Sequence, residues 1–196
     1  ILASLGQVEL VARSADDNAL EAARADFEAE LGADRVCTGS GTLESTVLER
    51  LGARGETLAL AESMTGGRIA SLLTGVPGSS EAFRGGAVVY SARAKAELAG
   101  LSEAFLQEHG TVSEATTRAL AEGIRERLGT DWGLAVTGNA GPSEDRDGPA
   151  PVGTFFAAVA GPGGTECLTQ DFPGERSAVQ TRAAALALDF LRRRMG

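Results

Sequence analysis

The chain has 196 residues, of which 43% are hydrophobic and 23% charged, and 27 Asp and Glu against 18 Lys and Arg give a formal charge of −9. This length and composition are typical of a globular protein with one main domain. The acidic balance argues against nucleic acid as a partner, because phosphate backbones repel a negative surface. No apolar stretch is long enough to span a membrane, which excludes a membrane protein.

The sequence predicts a cytoplasmic protein without a disulfide or a metal site. Cys37 and Cys167 lie far apart and neither has a second cysteine nearby, so two reduced thiols are expected. The pairs Asp16-Asp17 and Glu144-Asp145 lie in polar turns, where solvated carboxylates are expected rather than metal ligands. The first residues lack the basic segment and the long apolar run of a signal peptide.

Residues 1–42 predict a small β-α-β unit followed by a linker. Strands are expected at residues 7–12 and at Arg35–Thr38. Between them, helical spacing predicts an apolar helix face formed by Leu20, Ala23, Phe27 and Leu31. Such a unit is too small to be stable alone, so we expect it to be the end of a preceding domain, with Gly39-Ser40-Gly41 as the linker.

From residue 43 onward, predicted helices and strands alternate. We expect helices at about 43–53, 66–74, 113–129 and 175–194, and strands at about 57–62, 85–91, 131–137, 151–160 and 166–172. This alternation predicts an α/β domain, residues 43–196, whose sheet is covered by helices on both faces. The Gly161–Gly164 segment predicts a hairpin between the last two strands, so the sheet should be mixed.

Several common kinds of catalytic machinery are missing. The single histidine, His109, lies at a predicted helix end and is expected at the surface, which disfavours a Ser-His-Asp triad. The sequence contains neither a Walker-type phosphate loop nor a Gly-x-Gly-x-x-Gly after a strand. A nucleotide would therefore have to bind through other features.

The first candidate site segment is Ala61–Gly67, where an apolar strand ends and a helix begins. Ser63 would leave the sheet at its carboxyl edge, where open α/β sheets bind ligands. Gly66 and Gly67 leave the helix start open, so backbone N–H groups there could contact an anion or a developing oxyanion. An equally good interpretation is that Ser63 to Thr65 cap the helix and the glycines form a tight turn.

The second segment, Phe83–Lys95, contains the only tyrosine, Tyr90, and a lysine five residues later. Lys95 could converge with Tyr90, and in a dry pocket a neutral lysine amine can take the proton of a serine hydroxyl. The pair is similar to the Tyr and Lys of short-chain dehydrogenases, but its spacing differs and the dinucleotide loop is missing, so that family is rejected. The alternative is that Lys95 is a surface residue of a helix.

The third segment, Ala135–Pro142, is a predicted buried strand that runs into a small-residue turn, where Thr137 could offer a hydroxyl. The alternative is a plain exit from a strand into a loop. The polar loop at 143–150 could act as a lid. Three small-residue strand exits with one candidate nucleophile favour a ligand pocket.

Short motifs follow one another along the chain: Ala61–Gly67, Pro77–Ser80, Gly85–Tyr90 with Lys95, Gly110–Ser113, Thr137–Pro142, Pro151–Thr154 and Phe172–Arg176. In this order they resemble the CinA C-terminal family, the bacterial nicotinamide-nucleotide amidases. The resemblance covers about residues 44–194. Residues 1–40 look like the end of the middle domain of full-length CinA.

The resemblance implies hydrolysis of the carboxamide of nicotinamide mononucleotide (NMN) to nicotinate mononucleotide and ammonia, without a metal or cofactor. It also implies a three-layer α/β/α fold with a mixed sheet, and a homodimer. Ser63 then takes the role of the nucleophile, Lys95 that of the general base, and Tyr90 assists the proton relay. The substrate would be held by Thr65, Gly66, Gly67, Gly86, Thr137, Gly138 and Gly141, with Arg176 as the phosphate partner.

The sequence departs from the family pattern close to these residues. Met64 replaces a small cysteine, Asn139 replaces an aliphatic residue, and Ala150 stands in the place of a lysine. These changes suggest an alternative, a catalytically silent nucleotide-binding module that regulates a larger CinA, a competence- or damage-inducible protein. A purely structural dimerisation domain is the third hypothesis.

Overall fold

The computed structural model describes residues 2–4, 7–37, 39, 41–143 and 150–196. Most of the proposed lid at 143–150 lies outside the described residues, and so do Thr38 and Ser40. The Glu144-Asp145 pair lies outside them as well.

The N-terminal residues form a hairpin and a helix. Strands β1 (Leu2–Ser4) and β2 (Gln7–Glu9) pair antiparallel with each other. Helix α1 (Asp17–Leu31) follows, and the carboxylate of Asp16 caps it by accepting the N–H of Asn18. No residue of α1 is fully buried, so its predicted apolar face is only partly covered.

The strand predicted at Arg35–Thr38 is wrong for residues 35–37, which have no regular structure. The carbonyls of Ala33 and Arg35 accept hydrogen bonds from the buried guanidinium of Arg192 rather than from a neighbouring strand. The N-terminal unit therefore consists of a hairpin and a helix and is not the expected β-α-β unit.

The main domain confirms the predicted alternation, and the ends of the predicted elements are shifted by three residues or fewer. The helices at 92–99 and 103–109 have no predicted counterpart. Its helices are α2 (Leu43–Arg54), α3 (Arg68–Thr74), α4 (Ala92–Ala99), α5 (Glu103–His109), α6 (Glu114–Leu128) and α7 (Arg176–Met195). Its strands are β3 (Leu58–Glu62), β4 (Phe83–Val88), β5 (Trp132–Gly138), β6 (Thr154–Gly161) and β7 (Gly164–Asp171).

The five strands form one mixed sheet in the order β4-β3-β5-β6-β7. Strands β3, β4 and β5 are parallel, whereas β6 runs antiparallel to β5 and β7 antiparallel to β6. The predicted hairpin is present, with Gly161 opposite Gly164. The carboxyl ends of the three parallel strands therefore meet the start of β6 and the end of β7 at one edge of the sheet.

Helices cover both faces of the sheet, which gives three layers. On β3, the side chains of Leu58 and Leu60 join the core formed with α2, α3 and α7, while Ala59 and Ala61 face the core formed with α5 and α6. This alternation follows the two-residue period of a strand. Alanine on the α6 side lets that helix lie close to the sheet.

Two glycines let α6 approach its neighbours. A Cβ at Gly133 of β5 would overlap the carbonyl oxygen of Ala121 on α6. A Cβ at Gly123 of α6 would overlap the carbonyl oxygen of Ala99, the last residue of α4. Close packing of this kind leaves no room for a methyl group.

At the opposite edge of the sheet, Asp131 ties the start of β5 to the residue before β3. Its carboxylate accepts hydrogen bonds from the N–H and the hydroxyl of Thr57, each at 2.8 Å. These bonds favour the ionised form and lower the pKa of Asp131 below its usual value.

None of the helices in the described ranges is long and apolar enough to cross a membrane.

Candidate active site

Ser63 follows β3 directly and begins a tight turn into α3. Its N–H donates to the carbonyl of Val136, so the residue continues the sheet pairing by one step. The carbonyl of Ser63 accepts the N–H of Gly66 at 3.2 Å. Gly66 and Gly67 have φ values of 62° and 93°, a backbone region that favours glycine. The Ser63 side chain is buried at the carboxyl edge, with the residue 6% exposed.

Lys95 lies in the first turn of α4 and is the only lysine in the sequence. It is 2% exposed, so the alternative of a surface lysine is wrong. Its Nζ lies 3.2 Å from Oγ of Ser63 and donates to the carbonyl of Val89 at 2.9 Å. Ser63 and Lys95, which come from two separate sequence segments, therefore lie side by side in one buried site.

Glu62, the last residue of β3, was not singled out by the sequence. Its carboxylate is 1% exposed and accepts the backbone N–H groups of Gly67 (3.0 Å), Ile69 (3.1 Å) and Ala70 (2.8 Å). The N–H of Gly67, which we expected to face a ligand, thus donates to Glu62. In the part of the chain that the structure describes, the N–H groups of Met64 and Thr65 have no hydrogen-bond partner.

The side chains of Met64 and Thr65 are buried beneath the turn. Met64 is 3% exposed and belongs to the core, and its carbonyl accepts a hydrogen bond from Gln180 of α7 at 2.7 Å. Thr65 is fully buried, and its hydroxyl has no partner among the described residues. Met64, where the resemblance implies a small cysteine, thus contributes its side chain to the core.

Thr137, near the end of β5, is fully buried and joins the sheet to α6. Its Oγ1 lies 2.6 Å from Oγ1 of Thr117, whose hydroxyl donates to the carbonyl of Ser113 at 2.6 Å. A hydroxyl has one hydrogen, so Thr137 must be the donor toward Thr117. The lone pairs of Thr137 are left as acceptors.

Tyr90 and Arg176 contact each other at the exposed side of this edge. The Tyr90 residue is 61% exposed, and its hydroxyl accepts a hydrogen bond from Nη2 of Arg176 at 2.9 Å. Nη1 of Arg176 donates to the carbonyl of Gly141 at 2.7 Å.

Asn139 holds together the chain on both sides of the loop at 143–150. Its Nδ2 donates to the carbonyls of Ser143 and Ala150, each at 3.1 Å, and its Oδ1 accepts the N–H of Gly141 at 2.8 Å. An aliphatic side chain could make none of these bonds. Ala150, where the resemblance implies a lysine, takes part through its backbone carbonyl.

The remaining predicted glycines occupy different places. Gly138 and Gly141 lie at the carboxyl edge, with φ values of 152° and 77°. Gly86 lies within β4 opposite Leu60, and a Cβ there would overlap the Leu60 carbonyl, so its small size allows the strands to pair.

No group of three or more His, Cys, Asp or Glu in the described residues is arranged to hold a metal ion.

The amino-acid sequence is similar to that of known proteins. The family model for the CinA C-terminal domain matches residues 40–195. A CinA-like protein of Frankia casuarinae is 44% identical over 201 residues, covering 98% of this chain and 45% of the relative. A CinA-like protein of Acidobacterium capsulatum is 50% identical over 157 residues, covering 79% of this chain and 37% of the relative. The chain thus spans less than half the length of these curated relatives.

Solved structures share the fold. A competence-damaged protein (CinA) superfamily protein from Klebsiella pneumoniae superposes with a TM-score of 0.74 at 33% identity, covering 78% of this chain and 95% of that one. A competence/damage inducible protein from Agrobacterium tumefaciens gives a TM-score of 0.69 at 30% identity, covering 76% of this chain and 91% of that one.

Proposed function

Since the chain belongs to the family of CinA C-terminal domains, we propose that it is an amidase that hydrolyses the carboxamide of NMN to nicotinate mononucleotide and ammonia. One observation carries the proposal: Oγ of Ser63 and Nζ of Lys95 lie 3.2 Å apart, and both residues are buried. A nucleophile and a base within hydrogen-bond reach form the basic unit of covalent acyl transfer.

In the first half of the reaction, Oγ of Ser63 bonds to the carboxamide carbon while its proton passes to the amine of Lys95. The carbon–nitrogen bond then breaks, and the protonated Lys95 returns that proton to the leaving ammonia. In the second half, water attacks the acyl-enzyme, its proton passes through Lys95 to Oγ of Ser63, and the carboxylate product leaves. The Val89 carbonyl keeps the amine directed during these steps, since it accepts a hydrogen bond from Nζ at 2.9 Å.

The N–H groups of Met64 and Thr65 are the best candidates for stabilising the oxyanion. They follow the nucleophile directly, and neither donates a hydrogen bond to another of the described residues. The N–H groups of Gly66 and Gly67 already donate to Ser63 and Glu62. Two backbone donors aimed at a developing negative charge are the usual form of such a site.

Arg176 is the proposed partner of the substrate phosphate. Two of its N–H groups donate to Tyr90 and Gly141, and its other N–H donors remain for an anion. Tyr90 in this arrangement positions the guanidinium. Because its hydroxyl accepts from Arg176 and keeps its own proton, the proposed assistance of Tyr90 to the proton relay is compatible with this bond.

A regulatory nucleotide-binding module is the second candidate. It is favoured by one observation, that Ala150 offers only a carbonyl where the family has a cationic side chain. Calorimetry that detects NMN binding without any ammonia release by the same protein would favour this candidate over the amidase.

The test of the amidase is ammonia release from NMN, with free nicotinamide as the comparison substrate. We expect Ser63→Ala to reduce turnover by about a thousandfold or more, because the covalent step is lost. Ser71→Ala is the matched control, since Ser71 is an exposed serine of α3, a few residues along the same chain segment. If Ser63→Ala keeps most of the wild-type turnover, Ser63 is not the nucleophile.

Two further expectations belong to the same proposal. The match of the family model begins at residue 40, which supports residues 1–42 as the end of a preceding domain. The resemblance also implies a homodimer, so light scattering of the purified chain should give a molar mass of twice that of one chain.

A further inference from the structure

Glu62 is a buried carboxylate for which the proposed reaction has no chemical use. Its side chain accepts three backbone N–H groups, all located after Ser63 in the chain. The nucleophile therefore lies inside a loop that starts at Glu62 and is closed by the hydrogen bonds of that same residue. Movement of Ser63 relative to α3 would require at least one of these bonds to break.

The backbone of Glu62 reaches the other reacting group. Its carbonyl accepts the N–H of Val89 at 2.7 Å, and the carbonyl of Val89 accepts the Nζ hydrogen bond of Lys95. Two successive hydrogen bonds thus connect Glu62 to the amine. The side chain of this residue anchors the nucleophile turn, and its main chain anchors the segment that directs the base.

The start of α3 explains why a carboxylate occupies this position. The N-cap residue is Gly67, which has no side chain to cap the helix. Glu62 supplies the missing acceptor from the preceding strand, and a negative charge at a helix N-terminus is favourable. All three partners are donors, so a glutamine amide would place an NH₂ group against one of the N–H groups.

On the basis of the proposed function, we propose that Glu62 is a positioning residue that sets the distance between the Ser63 hydroxyl and the Lys95 amine. Glu62→Gln keeps the size of the side chain but loses at least one of the three bonds. We expect kcat to fall by about tenfold to a hundredfold, because displacement of a reacting atom by about 1 Å has effects of that size. KM should change by less than about threefold, since Glu62 does not touch the substrate.

Asp131→Asn is the matched control for loss of stability alone. Asp131 is also a carboxylate that accepts a backbone N–H beside a strand, but it lies at the opposite edge of the sheet. Both variants should lower the midpoint of thermal unfolding, and only Glu62→Gln should lower kcat per folded molecule. If kcat of Glu62→Gln equals that of Asp131→Asn, the proposal is wrong.

Two chemical probes separate this inference from the identity of the substrate. A fluorophosphonate reports the reactivity of Ser63, and acetylation followed by mass spectrometry reports the accessibility of Lys95, the only lysine in the sequence. We expect Glu62→Gln to slow the first reaction and to accelerate the second by about tenfold, with Asp131→Asn unchanged. If wild type is labelled at Ser63 but releases no ammonia from NMN, the proposed substrate fails while the labelling still tests Glu62.

A second variant covers the case in which Glu62→Gln does not fold. Glu62→Asp keeps the charge but is one methylene shorter, so it reaches fewer of the three N–H groups. We expect a smaller loss of kcat and of Ser63 labelling than in the glutamine variant. Wild-type values for both quantities in Glu62→Asp would overturn the proposal.

Discussion

Replacement of Lys95 by methionine removes the buried amine while keeping a side chain of similar length. In the folded protein this amine lies 3.2 Å from Oγ of Ser63 and donates to the carbonyl of Val89. Loss of a positioned general base lowers turnover by about a hundredfold to ten-thousandfold. We expect Lys95→Met to fall within that range, with NMN affinity changed little, because the amine acts on the serine proton.

The effect of Lys95→Met on stability is the balance between lost polar contacts and a gain in apolar burial. The Val89 carbonyl loses a partner, which costs about 1–3 kcal/mol for a buried acceptor. A residue that is 2% exposed also exchanges a polar amine for an apolar thioether, which offsets part of that loss. The net fall in the free energy of unfolding should stay below about 3 kcal/mol, which is less than the usual stability of a folded domain, so the variant stays folded for the kinetic assay.

Ammonia release is then measured for wild type and Lys95→Met at one pH and is expressed per folded molecule. Turnover of Lys95→Met within about tenfold of wild type would refute the assignment of Lys95 as the base.

Three further predictions concern groups away from the site. Asp131→Asn should lower the free energy of unfolding by about 1 kcal/mol at neutral pH. Because the folded-state pKa of Asp131 is lowered, its contribution is complete above the unfolded pKa and is lost as pH falls through the folded pKa, so urea melts of wild type and variant should converge in acid. Burial, together with the charge of Glu114, raises the pKa of the Cys167 thiol to about 11, so this thiol should react with iodoacetamide at least about tenfold more slowly than a small free thiol at pH 8. Arg192→Ala should lower the free energy of unfolding by about 3 kcal/mol, because a buried guanidinium that binds Asp189 and two backbone carbonyls is lost, and denaturant melts that show no change would contradict this.

The sheet and the helices α2, α3, α6 and α7 could be predicted because the local pattern and the tertiary fold agree, whereas helices α4 and α5 were not predicted. The alternating burial of β3, with leucines on one face and alanines on the other, is visible in the sequence as an apolar strand between helical segments. The strand predicted from residue 35, which is absent at residues 35–37, shows the opposite case. There the backbone carbonyl of Arg35 binds Arg192, 157 residues away, a contact that no local pattern contains.

For the candidate site, the sequence indicated the residues, and the resemblance implied that Ser63 and Lys95 act as a pair. The structure gives the distance between their reacting atoms, 3.2 Å. Ser63 and Lys95 were expected from the strand exits, but their contact depends on how α4 packs. The bond between Tyr90 and Arg176 joins residues 86 positions apart and could not be predicted from spacing. Glu62 was missed because its N–H partners are recognised only once the turn is folded. For Lys95 the composition held one signal. It is the only lysine of the sequence, and it is buried.

The packing of α4, the helix that carries Lys95, depends on a contact at the other end of that helix. Gly123 lies on α6, and its lack of a side chain lets the last residue of α4, Ala99, rest directly against it. An added methyl group at Gly123 would overlap the carbonyl oxygen of Ala99. Helix α4 would then have to move, and the amine of Lys95 would move with it. A search for variants with altered turnover should therefore include this remote glycine, whose influence comes from the space that it leaves empty.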